Sequence, residues 1–213
     1  MSDVWRKYKI HGKFLNEVLG GLPKNENLTK TFLATKKGLT AETLNVAEEM
    51  IRESQELATV EKQMEKSTNI FPRDENGLYL NGYQMMGALK EAMSIQRSIT
   101  MWRSKIQNGV RVLPDRIYLT KNGTPITSNG DFIESVVHAD TPQGPISGLC
   151  QTEILQGSPE FECELWVGKQ RGVPIISDKI LKNLLEHIEI TGVGAKRRMC
   201  YGMLKLDWSC SEK

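Results

Sequence analysis

Two hydrophobic periods alternate along this chain of 213 residues, and their order constrains the fold more than any other feature. In residues 4–15, Tyr8, Ile10 and Phe14 point one way while Lys7, Lys9, His11 and Lys13 point the other. That is period two, a strand with one buried face. Phe161, Cys163, Leu165 and Val167 alternate in the same way against Glu160, Glu162, Glu164 and Trp166. Leu204, Leu206 and Trp208 do so against Met203, Lys205 and Asp207. The helical period appears from Gln84, with Met86, Leu89, Met93, Ile99, Trp102 and Ile106 offered to a core. It returns behind Ser177, a good N-cap, in Ile180, Leu181, Leu184, Leu185 and Ile188. Val110 to Leu119 reads as a further strand, with Pro114 marking an edge or a bulge.

The resulting order is strand (4–15), helix (84–106), strand (110–119), strand (160–167), helix (177–189), strand (201–208). This βαββαβ order predicts an α+β chain with a ferredoxin-like or RNA-recognition-motif core, its helices on one sheet face and the other face open. Two segments interrupt the core within one domain spanning 1–213. A helical insertion covers about 27–68, where Thr40 would cap a long helix with one charged face. A hairpin insertion covers about 121–156. It opens on Asn122-Gly123, a type I′ signal, and its arms Phe132–Ala139 and Gly148–Leu155 flank Asp140 to Pro145.

Lysine and arginine number 28 against 26 acidic residues, a net charge of +2 that excludes a histone-like binder and leaves only local patches as an electrostatic argument. Four cysteines without a C-x-x-C pair and three scattered histidines call for no metal or other cofactor. No apolar run is long enough for a membrane span, and no charged-then-apolar signal opens the chain, so a cytoplasmic protein is expected.

The last helix and last strand are joined by Thr191-Gly192-Val193-Gly194-Ala195-Lys196-Arg197-Arg198-Met199-Cys200-Tyr201-Gly202-Met203. Glycines admit positive φ and close approach, and consecutive N–H groups can cradle an anion. Lys196, Arg197 and Arg198 add phosphate-matching charge. The loop follows a helix and enters a strand, which excludes the dinucleotide fingerprint. The preceding helix turns its C-terminus toward the loop and disfavours anions, so the side-chain cations must carry the binding. The open sheet face is a poorer candidate: Lys7, Lys9, His11 and Lys13 would lie opposite Glu160, Glu162 and Glu164 and be neutralised across the strands. For catalysis, His138 is the one histidine near flexible polar sequence, a base for metal-independent attack by a 2′-hydroxyl.

The frame and loop together resemble the RAMP superfamily of CRISPR-associated proteins. In that family the loop reads G-x-G, a basic stretch, then G-x-G. Gly192-Val193-Gly194, Lys196-Arg197-Arg198 and Gly202 match, and the closing pair is reduced to Cys200-Tyr201-Gly202. Leu80-Asn81-Gly82-Tyr83-Gln84-Met85-Met86-Gly87-Ala88-Leu89-Lys90 is similar to the run that opens the first helix of type III effector backbone subunits. Leu19-Gly20-Gly21 after the first strand is a third match. The resemblance implies a non-enzymatic, guide-RNA-binding subunit that contacts RNA backbone through Gly192, Gly194, Lys196, Arg197, Arg198 and Gly202, with Gly82, Gln84, Lys90, Gly20 and Gly21 and the 140–145 hairpin. It also implies partners: single-stranded RNA, further copies of the chain, or other subunits of a ribonucleoprotein. Backbone subunits that cut target RNA carry an aspartate before the helix; Asp74 is present in this region, but the nearer positions are Thr68 and Asn69. Two alternatives remain from the residues themselves: a metal-independent endoribonuclease using His138, and a site for a small phosphorylated nucleotide.

Overall fold

The computed structural model describes residues 4–24, 68–128, 131–141 and 144–211, with the side chains of 137–149 and of Arg198 left aside. The expected helical insertion, Thr40 included, lies outside the described residues except for Thr68. The chain is mixed α+β with mostly antiparallel sheets. We label the longer elements β1 (Trp5–Phe14), β2 (Gly77–Asn81), α1 (Gly82–Gln96), α2 (Trp102–Gly109), β3 (Val110–Leu113) and β4 (Arg116–Lys121). They continue as β5 (Phe132–Thr141), β6 (Gly144–Leu155), β7 (Glu160–Gln170), α3 (Asp178–Thr191) and β8 (Leu204–Cys210).

The residues sort into two compact units. The first comprises Met1–Leu19, Pro72–Asn129 and Leu155–Lys213. Its sheet runs β8-β1-β7-β4-β2, with β3 beside β4 on the same flank of β7. Antiparallel pairing sets Tyr8 opposite Leu165, Ile10 opposite Cys163 and Phe14 opposite Leu204. Period two therefore puts Tyr8, Ile10, Phe14, Phe161, Leu165, Val167 and Leu204 on one face, all buried. Met85, Leu89 and Met93 of α1 and Leu181, Leu184 and Ile188 of α3 are buried with them. The Tyr8 hydroxyl donates to Asp178 Oδ1 at 2.6 Å, fixing α3 over this face. Burial and then the neighbouring carboxylate raise the Tyr8 phenol well above its ordinary value. The Phe14 and Phe161 rings meet with centroids 5.6 Å apart at one end of this layer.

Three sequence expectations are corrected. The single helix over 84–106 is two helices, because Arg97 and Met101 take left-handed φ of 47° and 56°. α1 begins at Gly82, its buried stripe runs through Met85, Ala88, Leu89, Ala92 and Met93, and Met86 is only half-buried. The strand over 110–119 breaks at Pro114, where a missing N–H interrupts the ladder, into β3 and β4. The turns behave as expected. Asn122 and Gly123 both take positive φ, 51° and 75°, with Lys121 opposite Thr124. The Ser177 hydroxyl accepts from the Ile180 amide at 3.4 Å.

The second unit comprises Gly20–Phe71 and Gly130–Ile154. β5 and β6 pair antiparallel from Phe132 opposite Glu153 to Thr141 opposite Gly144, a hairpin whose arms run beyond the expected ones. Thr152 pairs in parallel with Asn69, and Leu22–Pro23 pairs with Asn69–Ile70. Glu153 is fully buried and accepts from the Phe71 amide at 2.7 Å, one of the bonds that offsets the cost of enclosing a carboxylate.

Candidate nucleic-acid interface

The loop after α3 is built from its glycines outward. α3 closes with Gly192 N–H donating to Ile188 O at 2.7 Å, and Gly192 itself sits at φ 80°. Val193 N–H then donates to Gly202 O at 3.0 Å, tying the two limbs into a closed stem. A Cβ at Gly202 would fall 2.1 Å from Val193 O, and one at Gly192 would fall 2.6 Å from Gly202 O. Close approach of backbone to backbone, at positive φ, is what these two glycines provide. Gly194 is also left-handed, at φ 110°. Residues 15–19 hold the back of the loop. Gly202 N–H donates to Glu17 O at 2.8 Å, Met203 N–H to Asn16 Oδ1 at 2.9 Å, and Ala195 N–H to Leu19 O at 3.4 Å. Asn16 Nδ2 donates in turn to Cys200 O. The amides of Gly192, Val193 and Gly202 are thus spent inside the fold. Those three amides take no part in an anion cradle in this loop.

The cationic side chains sit on a tight turn. Lys196 is left-handed at φ 51°, Arg197–Met199 form one 3-10 turn, and Cys200 is left-handed at φ 63°. Cys200 thus takes a backbone conformation that glycine favours. Lys196 is half-buried. Arg197 Nη2 makes an ion pair with Glu91 Oε2 at 2.8 Å, the two side chains 25% and 38% exposed. Arg197 Nη1 is shut away from solvent and lacks a hydrogen-bond partner among the described residues. The side chain of Arg198 lies outside the described set.

Glu91 belongs to α1, so this ion pair brings two separate sequence motifs together: the cationic loop and the Gly82–Lys90 run. Gly82 is buried at the helix start, and its N–H donates to Asp115 O at 2.7 Å. Gln84 is engaged in capping, its Oε1 accepting from Asn81 N–H at 3.0 Å. Gly87 lies one turn before Glu91, and a Cβ there would meet nothing within 4 Å. Lys90 is half-buried beside Glu91. Glu91 was given no role by the sequence; its adjacency to Lys90, the last residue of the helix-opening run, was the available signal.

The remaining candidates are placed as follows. Gly20 and Gly21 belong to the second unit. Gly20 is buried there with its N–H on Glu153 O at 2.9 Å, and a Cβ on it would fall 2.4 Å from the backbone of Ile70. His138 lies on β5 opposite Ser147, and its imidazole is outside the described side chains. Thr68 is buried, and Asn69 donates to Cys150 Sγ at 3.2 Å. Asp74 is held by Arg116 at 2.7 Å and Tyr118 at 2.9 Å, with the Asn76 amide on its other oxygen at 2.9 Å. Desolvation works against ionisation there, but these donors outweigh it and keep the carboxyl below its ordinary range. Burial pushes the Cys163 thiol up to about 12, Glu164 adding to the effect, so it is inert as a nucleophile at neutral pH.

The outer face of the first sheet shows the cross-strand pairing that the sequence implied. Lys9 is opposite Glu164, His11 opposite Glu162 and Lys13 opposite Glu160. Lys13 reaches Glu160 at 2.8 Å, and Lys7 lies over the Trp166 ring at 3.9 Å. A broad depression of about 910 Å³ on this face mixes Lys9 and His11 with Glu162, Glu164 and Asp207. Such a surface offers phosphate as much repulsion as attraction.

No protein-family model matches the chain, and no curated protein sequence matches it. Among solved structures it is similar to a chain of a type III-B Cmr-beta complex determined by cryo-electron microscopy bound to cognate target RNA. That likeness has a TM-score of 0.53 at 11% identity, covering 97% of this chain and 61% of the other. The chain thus spans about 61% of the length of the chain it matches, and at this identity the likeness is one of fold. Among the described residues, no helix is long and apolar enough to cross a membrane.

Proposed function

We propose that this chain is a RAMP-like, non-enzymatic RNA-binding protein with a ferredoxin-like core, gripping the phosphate backbone of a single strand along the loop and the adjoining face of α1. The observation that carries this reading is the convergence of two motifs on one surface. The Arg197–Glu91 ion pair sets the cationic loop beside the helix turn holding Gly87 and Lys90. The bare backbone at Gly87 gives a strand room to lie close. Fold similarity to a subunit found in an RNA-bound assembly supports the same choice. Lys196 and Arg198 supply charge that positions phosphates without reading bases. RNA, further copies of the chain and other ribonucleoprotein subunits are the partners such a surface fits.

The test is the salt dependence of binding to a labelled 30-mer RNA. Binding is expected to weaken as salt rises, with a log–log slope of about 0.7 for each phosphate contacted. Replacing Lys196 and Arg198 together by alanine removes about two contacts, lowering the slope by about 1.4 and the affinity about a hundredfold at low salt. Unchanged binding in that variant excludes the loop as the RNA site. Cleavage of the RNA in EDTA, lost in His138→Ala, favours the endoribonuclease instead. Tight binding of a mononucleotide with none of the 30-mer favours the small-ligand site.

A further inference from the structure

From the geometry of their ion pair we infer that Glu91 and Arg197 are a positioning pair: Arg197 holds the loop in its binding shape and is not itself a phosphate contact. The inference rests on the RNA-binding reading above and divides the labour among the three cations. The loop's turn is flanked by two non-glycine residues in the left-handed region, Lys196 at φ 51° and Cys200 at φ 63°. Each such residue is intrinsically disfavoured, so contacts from outside the loop must hold the turn in place. Asn16 supplies one, at the Cys200 carbonyl. Arg197 supplies a second by reaching α1 at Glu91 with a separation of 2.8 Å. Its guanidinium is aimed inward. Nη2 is committed to a carboxylate and Nη1 is closed to solvent, so neither nitrogen is presented to an arriving phosphate. Glu91 thereby becomes a functional residue even though its charge repels RNA.

This makes a prediction of unusual sign. Removing a carboxylate beside a phosphate site ordinarily strengthens binding. If Glu91 positions the loop, Glu91→Gln instead weakens RNA affinity, about tenfold, and Arg197→Ala does the same. The double variant is no weaker than either single one, the salt slope stays at the wild-type value in all three, and Arg197→Lys, which keeps an ion pair, recovers most of the loss. Amide exchange at Met199 and Cys200, whose N–H groups bond Lys196 O and Arg197 O, rises in both single variants without any RNA present. Tighter binding in Glu91→Gln, or a slope lowered by about 0.7 in Arg197→Ala, overturns the inference by making Arg197 a direct phosphate contact. Unchanged binding and exchange in both overturns it as well. A wild-type protein that binds no RNA defeats the functional reading alone, since exchange still judges the positioning pair.

Discussion

The outer face of the first sheet and the loop after α3 are both cationic segments by composition, and they differ in what stands opposite. On the sheet, Lys9, His11 and Lys13 meet Glu164, Glu162 and Glu160 in register, one carboxylate for each cation. Strand pairing enforces that meeting, because period two puts every outward residue of β1 beside an outward residue of β7. In the loop the cations are consecutive, and the partner of Arg197 is a carboxylate on a helix 106 positions away in the sequence. Cross-strand pairing thus sets basic and acidic groups side by side along that stretch of the sheet. In a loop no ladder assigns the residues their partners, so each pairing depends on what the tertiary fold brings near. The lesson is that a run of lysines on a sheet face says little about nucleic acid until the neighbouring strand is known.

Three experiments break or sharpen this contrast. The largest effect belongs to Gly202→Ala. A methyl at φ 75° and 2.1 Å from Val193 O cannot be accommodated without opening the stem. A cost of about 2–3 kcal/mol, read as a lower midpoint in urea unfolding, should accompany loss of RNA binding. A stem that tolerates alanine would mean that the loop does not depend on the tie between its limbs.

Lys9→Ala with Lys13→Ala addresses the sheet. RNA affinity should stay within about twofold, because these charges are already cancelled. The same variant changes the acid limb of stability. Its hydrogen bond to Lys13, ahead of an opposing desolvation effect, depresses the Glu160 carboxyl below its ordinary range. A depressed folded pKa contributes stability that is present above the unfolded value, about 4.3, and is lost as pH falls through the folded one. Acid unfolding of the variant should therefore lose that contribution, with a shallower pH dependence below about 4.3. A large fall in RNA affinity would place binding on the sheet and reverse the comparison.

The smallest effect is Cys200→Gly. Relief of a left-handed cysteine at φ 63° is offset by the greater freedom of glycine in the unfolded chain, so stability should rise by less than about 1 kcal/mol. RNA affinity should be unaltered or slightly better. Destabilisation would show that the side chain, not the backbone angle, is what the position requires.

Much of the scaffold was legible because its signals are local and repeated. The alternation in β1, β7 and β8 fixed which side chains face inward, and the Lys–Glu pairing followed from it. Ser177 and Asn122-Gly123 announced their structures by the hydrogen bond or the backbone angle that each residue type favours. The break after Gln96 was not legible, because the residues that turn left-handed there are arginine and methionine, not glycine or asparagine. The phase of α1 was missed because Met85 and Met86 both keep helical spacing with Leu89, and only the packing puts Met85 in the core. In the site, glycines and cations were visible as types, yet the duty of each was not. Whether Arg197 touches phosphate or protein depends on Glu91, and that neighbour is assigned only when α1 and α3 pack together.

The anchoring of the loop on Asn16 has a consequence for how the protein comes into being. Asn16 bonds Cys200 and Met203, which lie 184 and 187 positions away along the chain. On the ribosome the first strand emerges early and then waits for nearly all of the intervening sequence. The loop cannot take its shape until β8 has been made and has closed against β1. A nascent chain therefore carries its first strand long before it carries the finished loop, and the shape of the loop should arrive abruptly, as a late event of folding.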